Sequence, residues 1–229
     1  MIIPWGSIIN SVAVVIGGAL GLTLGNLISE RVRQVIFQLF GLFIIPIGLG
    51  MVQKSPDLIL ALLSAVLGGG FGEVIKLGPK LDSLGDKLKT VIGSKNPAFT
   101  EGLIASSVMV CSGAMAIVGS FEEGLGQGRN TLLTKTMIDF FSVGIMASKM
   151  GSGVLWCSVP IILYQGLLTV LAGALQPIMT VAIENCLSAT GGVLVMGIGV
   201  NMLGLRPPVP ISSCLPALVF AVILPAIFG

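Results

Sequence analysis

The chain has 229 residues, of which 54% are hydrophobic and only 10% are charged, and its formal net charge is +2. A soluble domain carries about 25% charged residues, so a water-soluble globule is excluded, as is a disordered chain, which needs low hydrophobicity and high net charge. A net charge of +2 forms no basic stripe, which excludes a nucleic-acid-binding protein. What is left is a membrane protein whose surface faces lipid.

Histidine is absent, so the sequence offers no imidazole for a catalytic triad, a metal site or a switch near neutral pH. The four cysteines lie far apart in apolar stretches, and none forms a Cys-x-x-Cys pair. We interpret them as small buried hydrophobic residues rather than as ligands or disulfide partners. We therefore expect no metal, no cofactor and no enzymatic activity.

Eight stretches are long and apolar enough to cross a membrane, since a spanning helix needs about 20 mainly apolar residues. The runs are continuous rather than alternating, which favours helices over a β-barrel. The sequence therefore predicts an all-α, polytopic membrane helix bundle that forms one domain over residues 1–229. The predicted spans are 7–28, 34–53, 57–75, 102–119, 131–149, 153–175, 178–204 and 210–228.

The long polar segment Lys76–Pro97 separates the third span from the fourth. Its leucines recur at three- and four-residue spacing, which predicts an amphipathic helix that lies on the membrane surface or caps the bundle. The segment contains five lysines, and basic connections stay in the cytoplasm. When the spans are counted alternately from this connection, most other basic residues also fall inside, and both termini fall outside.

The first three spans resemble the last three. Trp5-Gly6-Ser7 has a counterpart in Trp156-Cys157-Ser158, and Gly41–Met51 has one in Gly192–Met202, both at a spacing of 151 residues. Such weak internal similarity is typical of repeats in secondary transporters.

The run Ile16–Leu20 resembles Leu171–Leu175 at a spacing of 155 residues, so the sixth span contains a short insertion. Each helix of the second copy comes five spans after its counterpart, and this odd offset predicts that one copy is inverted relative to the other. The chain then divides into a first copy, a cytoplasmic connection, two central helices and a second copy, at residues 1–75, 76–97, 98–150 and 151–229.

Glycine accounts for 32 residues, and small residues allow helices to approach closely in lipid. Gly17, Gly21 and Gly25 form a ridge on the first span. The run Gly68–Gly72 in the third span and Ser112-Gly113 in the fourth have two interpretations. They mark either close packing or a helix break whose unwound backbone offers polar groups to an ion.

Two opposite charges lie within the fifth span. Asp139 is near its middle, and Lys135 lies four residues earlier on the same helical face. Placing a charged residue at the centre of a bilayer costs at least about 2.5 kcal/mol of free energy, so such a residue indicates a functional site by default. The pair either neutralises itself as a structural element or exchanges a proton or cation within a dry bundle.

Motifs in the central spans resemble a known family. Cys111–Ser120, Glu123-Gly124-Leu125, Lys135-x-x-x-Asp139 and Tyr164-Gln165-Gly166 together are similar to the bacterial integral-membrane proteins of domain-of-unknown-function family 554, the YqgA-like proteins. The resemblance covers essentially the whole chain and implies a multi-pass protein of the bacterial inner membrane. The matching positions form the candidate substrate- or ion-binding site, together with Ser112 from the fourth span: Glu73, Glu123, Lys135, Asp139 and Gln165.

The repeat and the buried charge pair favour a secondary transporter of a small solute, a proton or a cation. A channel is an alternative, although few polar residues align into a continuous lining. A non-catalytic scaffold or signalling protein that docks through Lys76–Pro97 is a second alternative. We expect the partners to be the lipid bilayer and the transported species, with no nucleic acid. Small-residue ridges and the prevalence of symmetric assemblies suggest a homodimer.

Overall fold

The computed structural model describes residues 3–53, 55–111, 114–177 and 179–228. Every regular element within these ranges is helical, which confirms the predicted all-α polytopic bundle. A short 3-10 helix, Ser152–Cys157, directly precedes α8. The α-helices are α1 (Trp5–Leu27), α2 (Glu30–Gln53), α3 (Leu58–Val74), α4 (Leu77–Ile92), α5 (Phe99–Cys111), α6 (Ala114–Gly124), α7 (Asn130–Met150), α8 (Ser158–Leu175), α9 (Val181–Met202), α10 (Ile211–Cys214) and α11 (Pro216–Phe228).

Within the described ranges, five helical segments are long and apolar enough to cross a membrane alone. They are α1, α2, the 3-10 helix with α8, α9, and α10 with α11. The bent pairs α3–α4 and α5–α6 raise the number to seven if each pair is one span. Helix α7 is 21 residues long but falls outside this set, because Lys135 and Asp139 lower its hydropathy. The predicted number of eight is therefore not reached on length and composition alone.

The glycine run of α3 is helical, so the alternative of a helix break at Gly68–Gly72 is wrong. Gly68 and Gly72 instead permit close packing, since a Cβ at Gly68 would lie 2.2 Å from the Cα of Ala217 and one at Gly72 would lie 1.8 Å from the carbonyl oxygen of Ser213. The chain turns after Val74, and the axis of α4 differs from that of α3 by 67°. After this turn, α4 packs against α5 and α10. Ser112-Gly113 lies outside the described residues.

The glycine ridge of α1 seats this helix directly on α7. A Cβ at Gly21 would lie only 2.0 Å from the carbonyl oxygen of Gly144. The two helices run parallel, because residues farther along α1 contact residues farther along α7. From Gly17 to Gly25, the successive partners of the ridge are the carbonyl oxygens of Phe140, Gly144 and Ser148.

Two pairs of glycines hold α2 against α9. A Cβ at Gly48 would lie 2.6 Å from the carbonyl oxygen of Gly192, and one at Gly192 would lie 2.5 Å from that of Gly48. Gly41 and Gly199 approach each other in the same reciprocal way, at 3.0 and 2.8 Å. The contacts advance along α2 as they retreat along α9, so these helices are antiparallel.

The main apolar core is built around α5, which packs against α7, α8 and α9, and it also takes in residues of α1 and α2. Val14, Val143, Met146, Ile161 and Ile198 are almost fully buried there. A charge placed beside such a core has few water molecules to solvate it, so it requires protein partners.

Candidate functional site

Lys135 and Asp139 are both buried within α7, at 5% exposure each. The ammonium Nζ of Lys135 and the carboxylate Oδ2 of Asp139 form an ion pair one helical turn apart. The pairing that the spacing predicted is therefore present in the structure. Because both groups are desolvated, each depends on the other and on neighbouring polar groups for compensation.

Asn10 of α1 supplies the first of these groups. Its Nδ2 donates a hydrogen bond of 2.9 Å to Oδ2 of Asp139 and one of 3.3 Å to Oε1 of Gln165 on α8. Both amide side chains are fully buried. The charged pair is thus connected to α1 and α8, and we refer to Lys135, Asp139, Asn10 and Gln165 as the central cluster.

Several polar atoms within the central cluster and on the neighbouring turns of α1 and α8 have no hydrogen-bond partner among the described residues. They are Ser7 Oγ, Asn10 Oδ1, Gln165 Nε2 and Thr169 Oγ1, all from fully buried side chains. Leaving such a group unpaired costs about 1–3 kcal/mol. The unused donor and acceptor atoms therefore give the site capacity to bind a polar ligand or water.

These four atoms lie on one continuous face. Helices α1 and α8 are antiparallel, because Pro4 contacts Gly166 whereas Ser11 donates to the carbonyl oxygen of Ser158 at 3.0 Å. Ser7 precedes Asn10 on α1, and Thr169 follows Gln165 on α8. Both therefore extend the polar face from the central cluster toward the beginning of α1.

Glu123 lies at that end of the polar face, in a separate arrangement. Its carboxylate accepts hydrogen bonds of 2.8 and 3.1 Å from the backbone N–H of Gly6 in the first turn of α1. Arg129, whose side chain is 44% exposed, approaches the same carboxylate at 3.7 Å. A negative charge at a helix N-terminus is stabilised by the helix dipole, so Glu123 anchors the start of α1.

The other candidate residues are not joined to the central cluster. Glu73 is exposed near the end of α3, and none of the described contacts connects it with Asp139. Ser112 lies outside the described residues. Asn10, which binds Asp139, is absent from the predicted site, although a buried amide within an apolar span was a usable signal.

The described ranges contain no group of three or more His, Cys, Asp or Glu side chains that could hold a metal ion. The central cluster offers one carboxylate, one ammonium and two amides. This combination suits a monovalent cation, a proton or a small polar solute better than a transition metal, for which imidazole or thiolate ligands are typical.

A family model described as "Protein of unknown function (DUF554)" matches residues 5–226, almost the entire chain. The chain belongs to the DUF554 family. This finding confirms the resemblance drawn from the central motifs.

Two relatives of this DUF554 chain align over most of their length. It is 31% identical over 226 residues to the uncharacterized protein YqgA of Escherichia coli (strain K12), with 96% of each chain covered. It is 26% identical over 206 residues to the uncharacterized membrane protein YdfK of Bacillus subtilis (strain 168), with 88% of this chain and 87% of the relative covered. No solved structure matches the chain. Together with its apolar helices, the relationship to the membrane protein YdfK indicates that this DUF554 chain is a multi-pass membrane protein.

Proposed function

We propose that the protein is a secondary transporter that moves a small solute or ion across the bacterial inner membrane. The observation that carries this proposal is the buried Lys135–Asp139 pair with its two amide neighbours, Asn10 and Gln165. Ionisable residues inside membrane domains are costly and typically serve ion or substrate pathways. The unused polar atoms of Asn10 and Gln165 supply additional ligand-binding capacity.

The packing of α2 on α9 supports an inverted repeat. The spacing of 151 residues makes Gly192 the counterpart of Gly41, and Gly199 the counterpart of Gly48. Gly41 contacts Gly199, and Gly48 contacts Gly192. The contact between Gly41 and Gly199 therefore corresponds to the contact between Gly192 and Gly48. Elements related by a two-fold axis are expected to show such reciprocal pairs of contacts.

The amide pair supports the same symmetry. Asn10 and Gln165 are separated by 155 residues, the spacing that relates Ile16–Leu20 to Leu171–Leu175, so they are counterparts if the insertion in the sixth span precedes Gln165. A residue that bonds to its own counterpart lies at the symmetry axis. The axis then passes beside Asp139, and transporters built from inverted repeats bind substrate near the membrane midplane where the copies meet.

Helix directions favour eight crossings. Helix α7 runs parallel to α1, which requires an odd number of crossings between them. Three crossings satisfy this requirement if α2, α3 and the bent pair α5–α6 each traverse the membrane once. In this arrangement α7 is itself a span, and its charges are tolerated because they face the bundle interior.

We place the segment Lys76–Pro97 in the cytoplasm on the basis of its five lysines, and both termini outside. The polar face that extends from the central cluster past Ser7 and Thr169 to Glu123 then leads outward. It forms the outer half of the proposed pathway.

In the proposed mechanism, Asp139 binds the proton or cation, and Lys135 balances the carboxylate charge or meets an anionic substrate. Asn10 and Gln165 orient the ligand with their free amide atoms. Movement of one repeat copy against the other would expose the central cluster to the two sides in turn.

Ligand-dependent thermal stabilisation of the purified protein tests this proposal. A ligand that binds only the folded state at 100 times its Kd stabilises it by about 2.7 kcal/mol. Among inorganic ions and small metabolites, we expect at least one that raises the Tm of the unmodified protein and of Glu101→Gln, but not of Asp139→Asn. Glu101 is an exposed carboxylate at the start of α5 and serves as the matched control. Equal stabilisation of all three proteins would contradict a role for Asp139.

Cysteine labelling tests alternating access. Ser142 is buried one turn after Asp139, so Ser142→Cys in a background without the four native cysteines reports access near the cluster. A transporter should show labelling from one side at a time, and the accessible side should change with the ion gradient. Labelling from neither side under any gradient would favour the scaffold alternative, and labelling from both sides at once would favour a channel.

A further inference from the structure

A large apolar groove of about 920 Å³ lies beneath α4, between α5, α8, α9 and α11. Leu81, Leu84 and Leu88 of α4 line one end, and Trp156 and Leu168 mark its extent beside α8. The lining is almost entirely aliphatic or aromatic, and it is separate from the central cluster. In water such a surface would be unfavourable, but in a bilayer it is the kind of surface that hydrocarbon chains cover.

The groove opens onto the lipid-facing surface of the bundle. Val159, Val219 and Leu84 line it and are 45%, 57% and 64% exposed, respectively. From Trp156 to Leu168, it follows the helix for about 18 Å at roughly 1.5 Å per residue. This length corresponds to roughly half of the hydrocarbon core of about 30 Å, which is one leaflet.

Two lysines of α4 flank the leucines that line the groove, although neither lysine is part of the lining itself. Lys80 and Lys87 are exposed and lie two helical turns apart on the side of the leucines that faces away from α5. The acidic residues of α4 lie on the opposite side, where Asp86 accepts a hydrogen bond of 2.8 Å from Thr100 of α5. Asp86 thus ties this flank, which also carries Lys89, to α5, while Lys80 and Lys87 stay exposed on the side that is turned away from α5.

We propose that this groove binds one anionic phospholipid, with an acyl chain along α8 and the headgroup phosphate beside Lys80 and Lys87. The apolar lining and the one-leaflet length fit an acyl chain, and the two lysines supply the charge that distinguishes an anionic headgroup from a zwitterionic one. The site does not depend on the proposed transport activity.

Tryptophan fluorescence provides a direct test, because the chain has only two tryptophans and Trp156 lines the groove. Trp5 is half-exposed on α1, outside the groove. In the variant Trp5→Phe, the remaining Trp156 reports on the groove. In Trp156→Phe, the remaining Trp5 reports on bulk lipid. Both are reconstituted in bilayers of phosphatidylglycerol and phosphatidylcholine in which the acyl chains of one lipid or the other carry bromine, a contact quencher.

We expect brominated phosphatidylglycerol to quench Trp156 more strongly than brominated phosphatidylcholine at the same mole fraction, and both lipids to quench Trp5 equally. A lysine near an anionic surface contributes about 1 kcal/mol, so Lys80→Gln and Lys87→Gln should each lower the preference about fivefold. Lys95→Gln makes the same charge change at an exposed position beyond α4 and should preserve the preference.

Equal quenching of Trp156 by the two lipids would overturn the proposal, as would a preference that survives both lysine substitutions. Quenching of Trp156 by neither lipid would also overturn it and would indicate that another protein surface, such as a second copy of the chain, covers the groove.

Discussion

Asn10 and Gln165 are hydrogen-bonded across the interface of α1 and α8, at 3.3 Å, although 155 residues separate them in the chain. The same Asn10 Nδ2 also donates to Asp139 at 2.9 Å. A displacement of α8 relative to α1 would therefore break the bond between Gln165 and the same amide group that binds the Asp139 carboxylate. This relationship couples the buried charge to the relative position of the two proposed repeat copies.

The ion pair of α7 should show strong mutual dependence. Lys135→Met leaves the Asp139 carboxylate buried without its cation, and Asp139→Leu leaves the ammonium without its anion. Removing one partner of a buried pair costs about 3–5 kcal/mol, whereas replacing both with apolar residues costs far less. We expect each single variant to lower the free energy of unfolding in detergent by about this amount, and the double variant to recover most of it.

The pair between Lys149 and Glu30 provides the control, since its side chains are 26% and 59% exposed. Exposed ion pairs contribute about 0–1 kcal/mol, so Lys149→Met should have only a small effect. If Lys135→Met cost no more than Lys149→Met, the central cluster would not be a desolvated pair.

The glycine ridge of α1 should tolerate no side chain. In Gly21→Ala, the added Cβ would lie 2.0 Å from the carbonyl oxygen of Gly144, so α1 and α7 must separate. Overpacking of this kind costs about 1–3 kcal/mol, and we expect a corresponding fall in Tm.

Gly173→Ala on α8 is the matched comparison, because no heavy atom lies within 4 Å of the added Cβ. Alanine is a better helix former than glycine by about 1 kcal/mol, so this variant should be neutral or stabilising. A Tm for Gly21→Ala equal to that of Gly173→Ala would refute the close contact between α1 and α7.

The carboxylate of Glu123 should stabilise the start of α1. Glu123→Gln removes the charge that faces the Gly6 N–H and the helix dipole, and hydrogen bonds to charged groups contribute about 1.5–3 kcal/mol. We expect a loss toward the lower end of this range, measured by thermal unfolding. Glu122→Gln changes the neighbouring carboxylate, which makes no described contact with α1, and should cost little. Equal losses in the two variants would argue against the anchor.

Membrane topology can be measured with single cysteines in a background without native cysteines. Lys95→Cys precedes α5, and Gln127→Cys lies between α6 and α7, both at exposed positions. If α5–α6 crosses the membrane once, the two cysteines lie on opposite sides. Because basic connections stay inside, we expect an impermeant maleimide to label Gln127→Cys in intact cells and Lys95→Cys only after permeabilisation. Labelling of both in intact cells would contradict a single crossing.

Several features of the fold follow from local sequence. The apolar runs predicted helices whose ends lie within four residues of those of α2 and α9, because the length of a hydrophobic run reflects the thickness of the bilayer. The four-residue spacing of Lys135 and Asp139 predicted their pairing, because such residues share one helical face. The glycine ridge of α1 indicated a packing surface but not that its partner is α7.

The sequence by itself determined that the protein is a helical membrane bundle with a charged pair inside one helix, because hydropathy and helical periodicity act over a few turns. Only the tertiary structure decided that Asn10 joins Asp139 to Gln165, that Glu123 anchors α1 and that Glu73 stays apart. These outcomes depend on contacts between residues more than 100 positions apart. Such contacts are set by how several helices pack together, which no single segment specifies.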